Sequence, residues 1–417
     1  MAMKIILVDD DTKQAETVID VEIHDHSWEE DCYSWEEDCY GTAFHASRAL
    51  AEWYVKSKDD EILQKRPSGL RVKDTHERTL VTRFGDITVN RRYYQDGHGI
   101  YHYLLDEYLS WRPNQAATPS LTEALVDSAT GSTFRRVGRE VQKYTAGIIS
   151  ASTVHRLLQK VAHDAIDRDR NEWKSCFEDG SLSPPGDRRV AVLYTEADGI
   201  WVNLPQEEQE HYELKNAIAY EGWSPVPGQE ERYQLVGKRE YSHGEYSHGD
   251  NSIPFWEGAS LEWHKWWELG YTSLMVVGGD DASWIDKGTD ELGFSVRQLD
   301  GFHLARACRK GWKQGADMYN AIRSGTAKQS FIHLEERDGK TAQKARKYVL
   351  DRLEKGVDWR KKVPKGLQLP EVARGLGAIE GNESNLFSDR MKDRGMSWTI
   401  LEHSTWVKPS SCHSMVS

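Results

Sequence analysis

RRVAVLYTEADGIWVNL, residues 188–204, is an apolar run interrupted once, at Asp198-Gly199. Its β-branched and aromatic residues predict a buried strand up to Ala197, a break at Asp-Gly, and a second strand over Ile200–Leu204. An aspartate at the exit of a strand stands at the mouth of a sheet. Working outward, ELKNAIAYEGW (213–223) predicts a third strand, and the Trp-rich stretch around 256–269 predicts a helix. SLMVVGG (273–279) predicts a fourth strand ending at Asp280-Asp281, and FSVRQLD (294–300) a fifth ending at Asp300 and running into a helix from Phe302.

Three strands, a helix, a strand and then helices, with Asp closing the first and fourth strands, is the arrangement of an α/β ribonuclease-H-like domain. Phosphodiester chemistry by two hard cations needs oxygen ligands converging from different elements. Asp198 and Asp280 would sit on adjacent strands, and Glu380, in LGAIEGNESNLFSDRMK (376–392), is placed at a helix start to supply the third acid. Taken singly each has a plainer use: Asp198-Gly199 as a turn, Asp280 or Asp281 as a helix cap, Glu380 as one glutamate among many. The three in this order make a catalytic triad the better reading. Trp256, Trp263, Trp266 and Trp267 are expected to pack in a core.

Upstream, TLVTRFGDITVNRRYY (79–94) alternates as a β-hairpin does and ends in Arg91, Arg92, Tyr93 and Tyr94, which either line a nucleic-acid path or simply pack at a strand end. FRRVGREVQKY (134–144), a Gly147 turn and a second helix capped by Ser150 or Ser152 form a helix-turn-helix pattern. Arg135, Arg136, Ser152, Thr153, His155 and Arg156 are its candidate DNA contacts. An αα-hairpin without that role has the same pattern.

The chain has 417 residues and a formal net charge of −13, which by itself opposes DNA binding. The charge is uneven: residues 1–70 carry −10, 71–160 carry +4, 161–300 carry −16 and 301–417 carry +9. Acidity thus concentrates in the N-terminal stretch and around the candidate ligands, between segments basic enough to meet phosphates. Five scattered cysteines without a CxxC predict neither disulfides nor a structural zinc site. The absence of a long apolar run predicts neither a membrane span nor a signal, hence a cytoplasmic protein.

The predicted organisation is an acidic region (1–70) with a strand at Ile5–Val8, a hairpin and helix-turn-helix region (71–163), a polar linker over 164–190, a catalytic domain (188–400) with a helical insertion at about 304–370, and an atypical tail (401–417). SWEEDCY stands twice in tandem at 27–33 and 34–40, in a peripheral helix. YSHGE/YSHGD (241–250) reads as a loop whose histidines, His243 and His248, need no ligand role.

FGDITVNRRYY, YHYLLDEYL, TEADG, AYEGW, GGDDASWI, LDGFHLAR, GAIEGNESN and RMKDRGMSW, in order over about residues 75–398, resemble the ISLre type of bacterial insertion-sequence transposase, also catalogued as uncharacterised transposase-like proteins. That resemblance implies a DDE transposase with Asp198, Asp280 and Glu380 holding two Mg2+ ions, with Mn2+ as a substitute. It implies DNA partners, namely element ends and a target duplex, and copies of the chain assembled on that DNA at the nucleoid. Asp300 and His303 resemble a D/C-x-x-H signature that would hold the target strand or support the metals; a structural hydrogen-bonded pair fits the spacing equally. Asp281 replaces the usual Gly and competes as second ligand, and the sequence after Trp398 does not resemble the family. A nuclease of the same fold without strand transfer and an inactive DNA-binding descendant are the rival readings.

Overall fold

A computed structural model describes residues 2–8, 15–22, 34–145, 149–203, 211–244, 253–330 and 333–379. Two compact units divide the chain, Met1–Leu158 and Gln159–Ser417. Among the described residues no helix is long and apolar enough to cross a membrane.

The first unit begins with an antiparallel pair, β1 (Ala2–Val8) and β2 (Ala15–Glu22), of which the sequence pattern predicts only the end of β1. Helix α1 (Ser34–Lys65) starts with the second SWEEDCY copy; the first copy lies outside the described residues. The expected hairpin forms as β3 (Arg71–Thr82) and β4 (Gly85–Gln95), turning at Arg83-Phe84, with β5 (Tyr101–His102) pairing on the far end of β4. Val55, Leu80, Ile87, Val89, Leu105 and Trp111 share one apolar core, and Glu52 of α1 accepts the Thr88 N–H at 3.2 Å. Helix α1 is therefore part of the hairpin's unit, whereas the sequence reading parts them at residue 70. After α2 (Leu104–Tyr108), helices α3 (Pro119–Gly131), α4 (Phe134–Thr145) and α5 (Ala151–Phe177) follow, the last three packed through Leu121, Leu125, Val137, Val154 and Leu157. Ser150 is the cap: its hydroxyl accepts the Thr153 N–H at 3.1 Å. Helix α5 continues to Phe177, through much of the stretch expected to be a linker, because its apolar residues keep a helical spacing there.

The second unit is built on a five-stranded mixed sheet. Strand β6 (Val192–Asn203) runs straight through Asp198-Gly199, paired without a break to β7 (His211–Tyr220). The two strands expected on either side of that dipeptide are thus one, since every residue there keeps a cross-strand partner. A separate hairpin, β8 (Gly222–Val226) and β9 (Gln229–Val236), leads to β10 (Arg239–Gly244), antiparallel to β7. Hence the first YSHG copy is strand, not loop, and the second lies outside the described residues. Helix α6 (Phe255–His264), β11 (Leu274–Gly279), α7 (Ser283–Glu291) and β12 (Ser295–Leu299) complete the sheet in the order β10-β7-β6-β11-β12, with β11 parallel to both β6 and β12.

Trp256, Trp263 and Trp267 fill the core between α6, α7 and one face of this sheet, and Trp266 packs against it under the Arg239 guanidinium, as the packing reading expects. Gly288 belongs to that packing: a Cβ there would lie 2.4 Å from the Trp256 ring. Beyond β12 come α8 (Gly301–Gly311), α9 (Gly315–Ser324), α10 (Ala327–Ser330), α11 (Lys340–Leu350) and α12 (Leu353–Gly356). They close on their own core of Leu304, Cys308, Trp312, Met318, Ile322 and Val349.

Candidate active site

Register brings three aspartates into one row. Gly279 of β11 pairs with Ala197 of β6 and with Leu299 of β12, so the next residue on each strand is Asp198, Asp280 and Asp300. Neighbouring strands lie about 4.8 Å apart, which sets the spacing of the row. The Asp300 N–H donates to the Gly279 carbonyl at 2.7 Å, holding the ends of β11 and β12 together. Gly279 has φ +148°, and a Cβ there would meet the Ala197 carbonyl at 2.3 Å, so glycine lets β11 approach β6 at this level.

Each aspartate has its own surroundings. Asp198 is half-buried, its Oδ1 accepts the Gly199 N–H at 2.8 Å, and its register partner on β7 is Asn216. Asn216 is fully buried and its side-chain oxygen accepts from Ser242 at 2.9 Å, while its amide nitrogen has no partner among the described residues. Asp280 accepts the Ala282 N–H at 2.8 Å. Asp281 faces cations instead, ion-paired with Arg352 and, at 3.4 Å, with Lys355. Burial raises its proton affinity, but the Arg352 hydrogen bond and the two positive charges outweigh that and hold its carboxyl below the usual aspartate range. Asp281 is thus occupied by an ion-pair network, whereas the contact seen for Asp280 is the Ala282 N–H. Asp300 caps α8 by accepting the His303 N–H at 2.7 Å and meets His303 Nδ1 at 3.0 Å, the hydrogen-bonded pair that was one of the two readings of this motif.

Two residues that sequence reasoning missed support the row. Arg297, 8% exposed, donates to the carbonyls of Val277, Gly279, Asp280 and Gln298 and pairs with Asp286 at 3.0 Å. It clamps the strand ends from which Asp280 and Asp300 project. Glu196 is 2% exposed and accepts the Tyr220 hydroxyl at 2.6 Å. Its other oxygen accepts the backbone N–H groups of Gly377, Ala378 and Ile379 at 2.7, 2.8 and 3.4 Å. Burial pushes its carboxyl up, against the hydrogen bonds from Tyr220 and the three amides. Residues two apart on a strand share a face, so Glu196 and Asp198 point the same way. Leu376, Ala378 and Ile379 pack on that face with Tyr194, Tyr220 and Trp359. A charged residue inside an otherwise apolar strand, Glu196 in VLYTEAD, was the available signal.

Glu380, the expected third acid, lies outside the described residues, one step after Ile379. Among the described residues no group of three or more His, Cys, Asp or Glu side chains is gathered to hold a metal ion. Asp198 and Asp280 nonetheless supply hard oxygen donors on adjoining strands, the donor chemistry that Mg2+ takes.

In the first unit, Arg91 pairs with Asp106 and lies over the Tyr103 ring, 3.8 Å from its centroid, while Arg92 pairs with Asp59 and Asp60 of α1, each at 2.7 Å. Both arginines are thus partly buried cations that tie helices to the hairpin, the packing alternative of the two readings of this cluster. Arg78 joins Arg91 on Asp106 at 2.7 Å. Asp106→Ala leaves two largely buried guanidinium groups uncompensated, at a cost of about 3–5 kcal/mol. Hydrogen exchange of the full chain should show early opening of residues 71–112; unchanged protection would refute this use of the pair. Of the helix-turn-helix candidates, Arg135, Arg136 and Arg156 are exposed, Arg136 beside Glu140 at 2.6 Å. Ser152 and Thr153 hydrogen-bond Ser150, and His155 packs on Phe134.

Residues 55–402 match the family described as Uncharacterised protein family (UPF0236). The chain belongs to UPF0236. It is 25% identical over 353 residues to the UPF0236 protein in vanSb 3′ region of Streptococcus gallolyticus, covering 79% of this chain and 71% of that protein. The UPF0236 match takes in the whole aspartate row and continues through Glu380.

Proposed function

We propose that this UPF0236 chain is a DDE transposase with a ribonuclease-H-like core, cutting DNA at element ends and joining the freed ends to target DNA. The observation that carries the reading is the sheet order β10-β7-β6-β11-β12, three antiparallel strands followed by two parallel to β6, with Asp198 and Asp280 adjacent in register. That strand order is the one expected of such a core, and the adjoining positions of the two acids support the reading. The ordered motifs shared with ISLre transposases over about 75–398 support it further.

Asp198, Asp280 and Glu380 would hold Mg2+, or Mn2+ in its place. Two bound cations supply activation of the attacking oxygen and neutralisation of the phosphate charge. The chain's own part is positioning. Arg297 and the Gly279–Asp300 bond fix the strand ends, Glu196 fixes the segment leading into Glu380, and Asp281 stays with Arg352 and Lys355. Helices α4 and α5, as a helix-turn-helix, would bind element ends through Arg135, Arg136 and Arg156. Transposases pair two ends, so by analogy the chain would act as a multimer on DNA, at the nucleoid when bound.

The test is Mg2+-dependent reaction of a labelled duplex carrying the element ends flanking the gene. Joined products, lost with EDTA, are expected. Hydrolysed ends without joining would select a nuclease, and binding without cleavage a DNA-binding descendant.

A further inference from the structure

Helices α8 and α11 carry the strongest concentration of exposed positive charge near the aspartate row. Arg306 and Lys310 stand one turn apart on α8 and are exposed, as is Lys313 beyond the helix end, which pairs with Glu335. Lys340, Lys344 and Lys347 recur at helical spacing on α11 and are exposed. Residues spaced by four and three positions share one helix face, so each set is a stripe rather than a ring.

The two helices run antiparallel outward from the row. At the near end Asp300 caps α8, and Tyr348 of α11 has its hydroxyl pushed up to about 12, first by burial and further by Asp281, Asp280 and Asp300. At the far end the Arg337 N–H donates to Gly311 at 3.0 Å and the Lys313 N–H to Glu335 at 2.8 Å. At that same far end Gly311 lies directly against Arg346. Lys310, Lys313, Arg337, Asp338, Thr341 and Ala342 line an open cleft of about 510 Å³ there, three cations against one carboxylate. Of the nearby acids, Glu335 and Glu336 are already paired, with Lys313 and Arg346. The shared core of Leu304, Cys308 and Val349 makes the surface a rigid one.

We propose that α8 and α11 form a phosphate track for the duplex flanking the cleaved bond, an inference that rests on the transposase reading. Clustered cations along two packed helices, α8 starting at Asp300 of the row, match the charge and continuity of a DNA backbone. An α-helix rises about 1.5 Å per residue, so the eleven-residue α8 spans roughly 16 Å. At about 3.4 Å per phosphate along one strand, the far cleft meets the backbone about five nucleotides from the scissile bond.

The experiment is duplex binding by the full chain in EDTA, read by fluorescence anisotropy against salt concentration. Lys310→Ala, Lys344→Ala and Lys347→Ala are combined, with Lys328→Ala and Lys365→Ala combined as a control. The triple variant should keep its melting temperature and lower the slope of log affinity against log salt by about 2–3, near 0.9 for each phosphate no longer neutralised. Ethylation interference should vanish about five nucleotides from the cut. An unchanged slope overturns the track. A lowered slope in a chain that neither cuts nor joins DNA keeps a DNA surface but overturns its link to the acid row.

Discussion

Asp280→Ala is expected to abolish Mg2+-dependent cleavage and joining, while Asp281→Ala retains both. Losing a ligand removes several kcal/mol of charge stabilisation at the reacting phosphate. At 1.36 kcal/mol per decade, that is a fall of about 10³-fold or more. Asp281 is bound to Arg352 and Lys355, so its loss should register in stability instead. Its carboxyl is held below the ordinary range, so this contribution is complete above the unfolded-state aspartate pKa. It fades as the pH falls through the lower, folded value, and Asp281→Ala should flatten the acid limb of the stability curve. Single-turnover cleavage and melting curves from pH 3 to 7 read both effects. Loss of cleavage with Asp281→Ala at full stability would reverse the assignment.

Glu196→Ala is the second large effect expected. It strips the acceptor from the Tyr220 hydroxyl and from the amides of Gly377, Ala378 and Ile379, all held by one buried carboxylate. Leaving two or three buried donors unpaired costs about 3–5 kcal/mol. For a unit of this size the melting temperature should fall by roughly 10 °C. Amide exchange at 377–379 should accelerate, and cleavage should fall with it, because that segment leads into Glu380. Glu196→Gln keeps one acceptor oxygen and should restore most of the stability. Unchanged exchange at 377–379 in Glu196→Ala would mean that this carboxylate does not anchor the segment.

How far the site was legible follows the range of the interactions involved. Asp198 and Asp280 were readable because each ends or interrupts an apolar run, a pattern local to a few residues. The one-strand continuity of β6 was not, since Asp-Gly has the same local signature in a turn as in a paired strand. Strand β10 was hidden because YSHG reads as turn residues and becomes strand only by pairing with β7. Arg91 and Arg92 fit a phosphate path and plain packing equally by pattern, because their carboxylate partners lie on α1 and α2, 15 to 33 residues away.

The sequence by itself determined the alternation of strands and helices, the aspartates at strand ends, the tryptophans that belong in a core and the uneven charge, because burial periodicity and turn chemistry act over neighbouring residues. Only the tertiary structure decided the strand order, the ion pairs that hold Asp281, and the seat of Gly377–Ile379 on Glu196. Those depend on which buried polar group meets which partner at sequence separations of up to 183 residues, a pairing that desolvation enforces and no local pattern encodes.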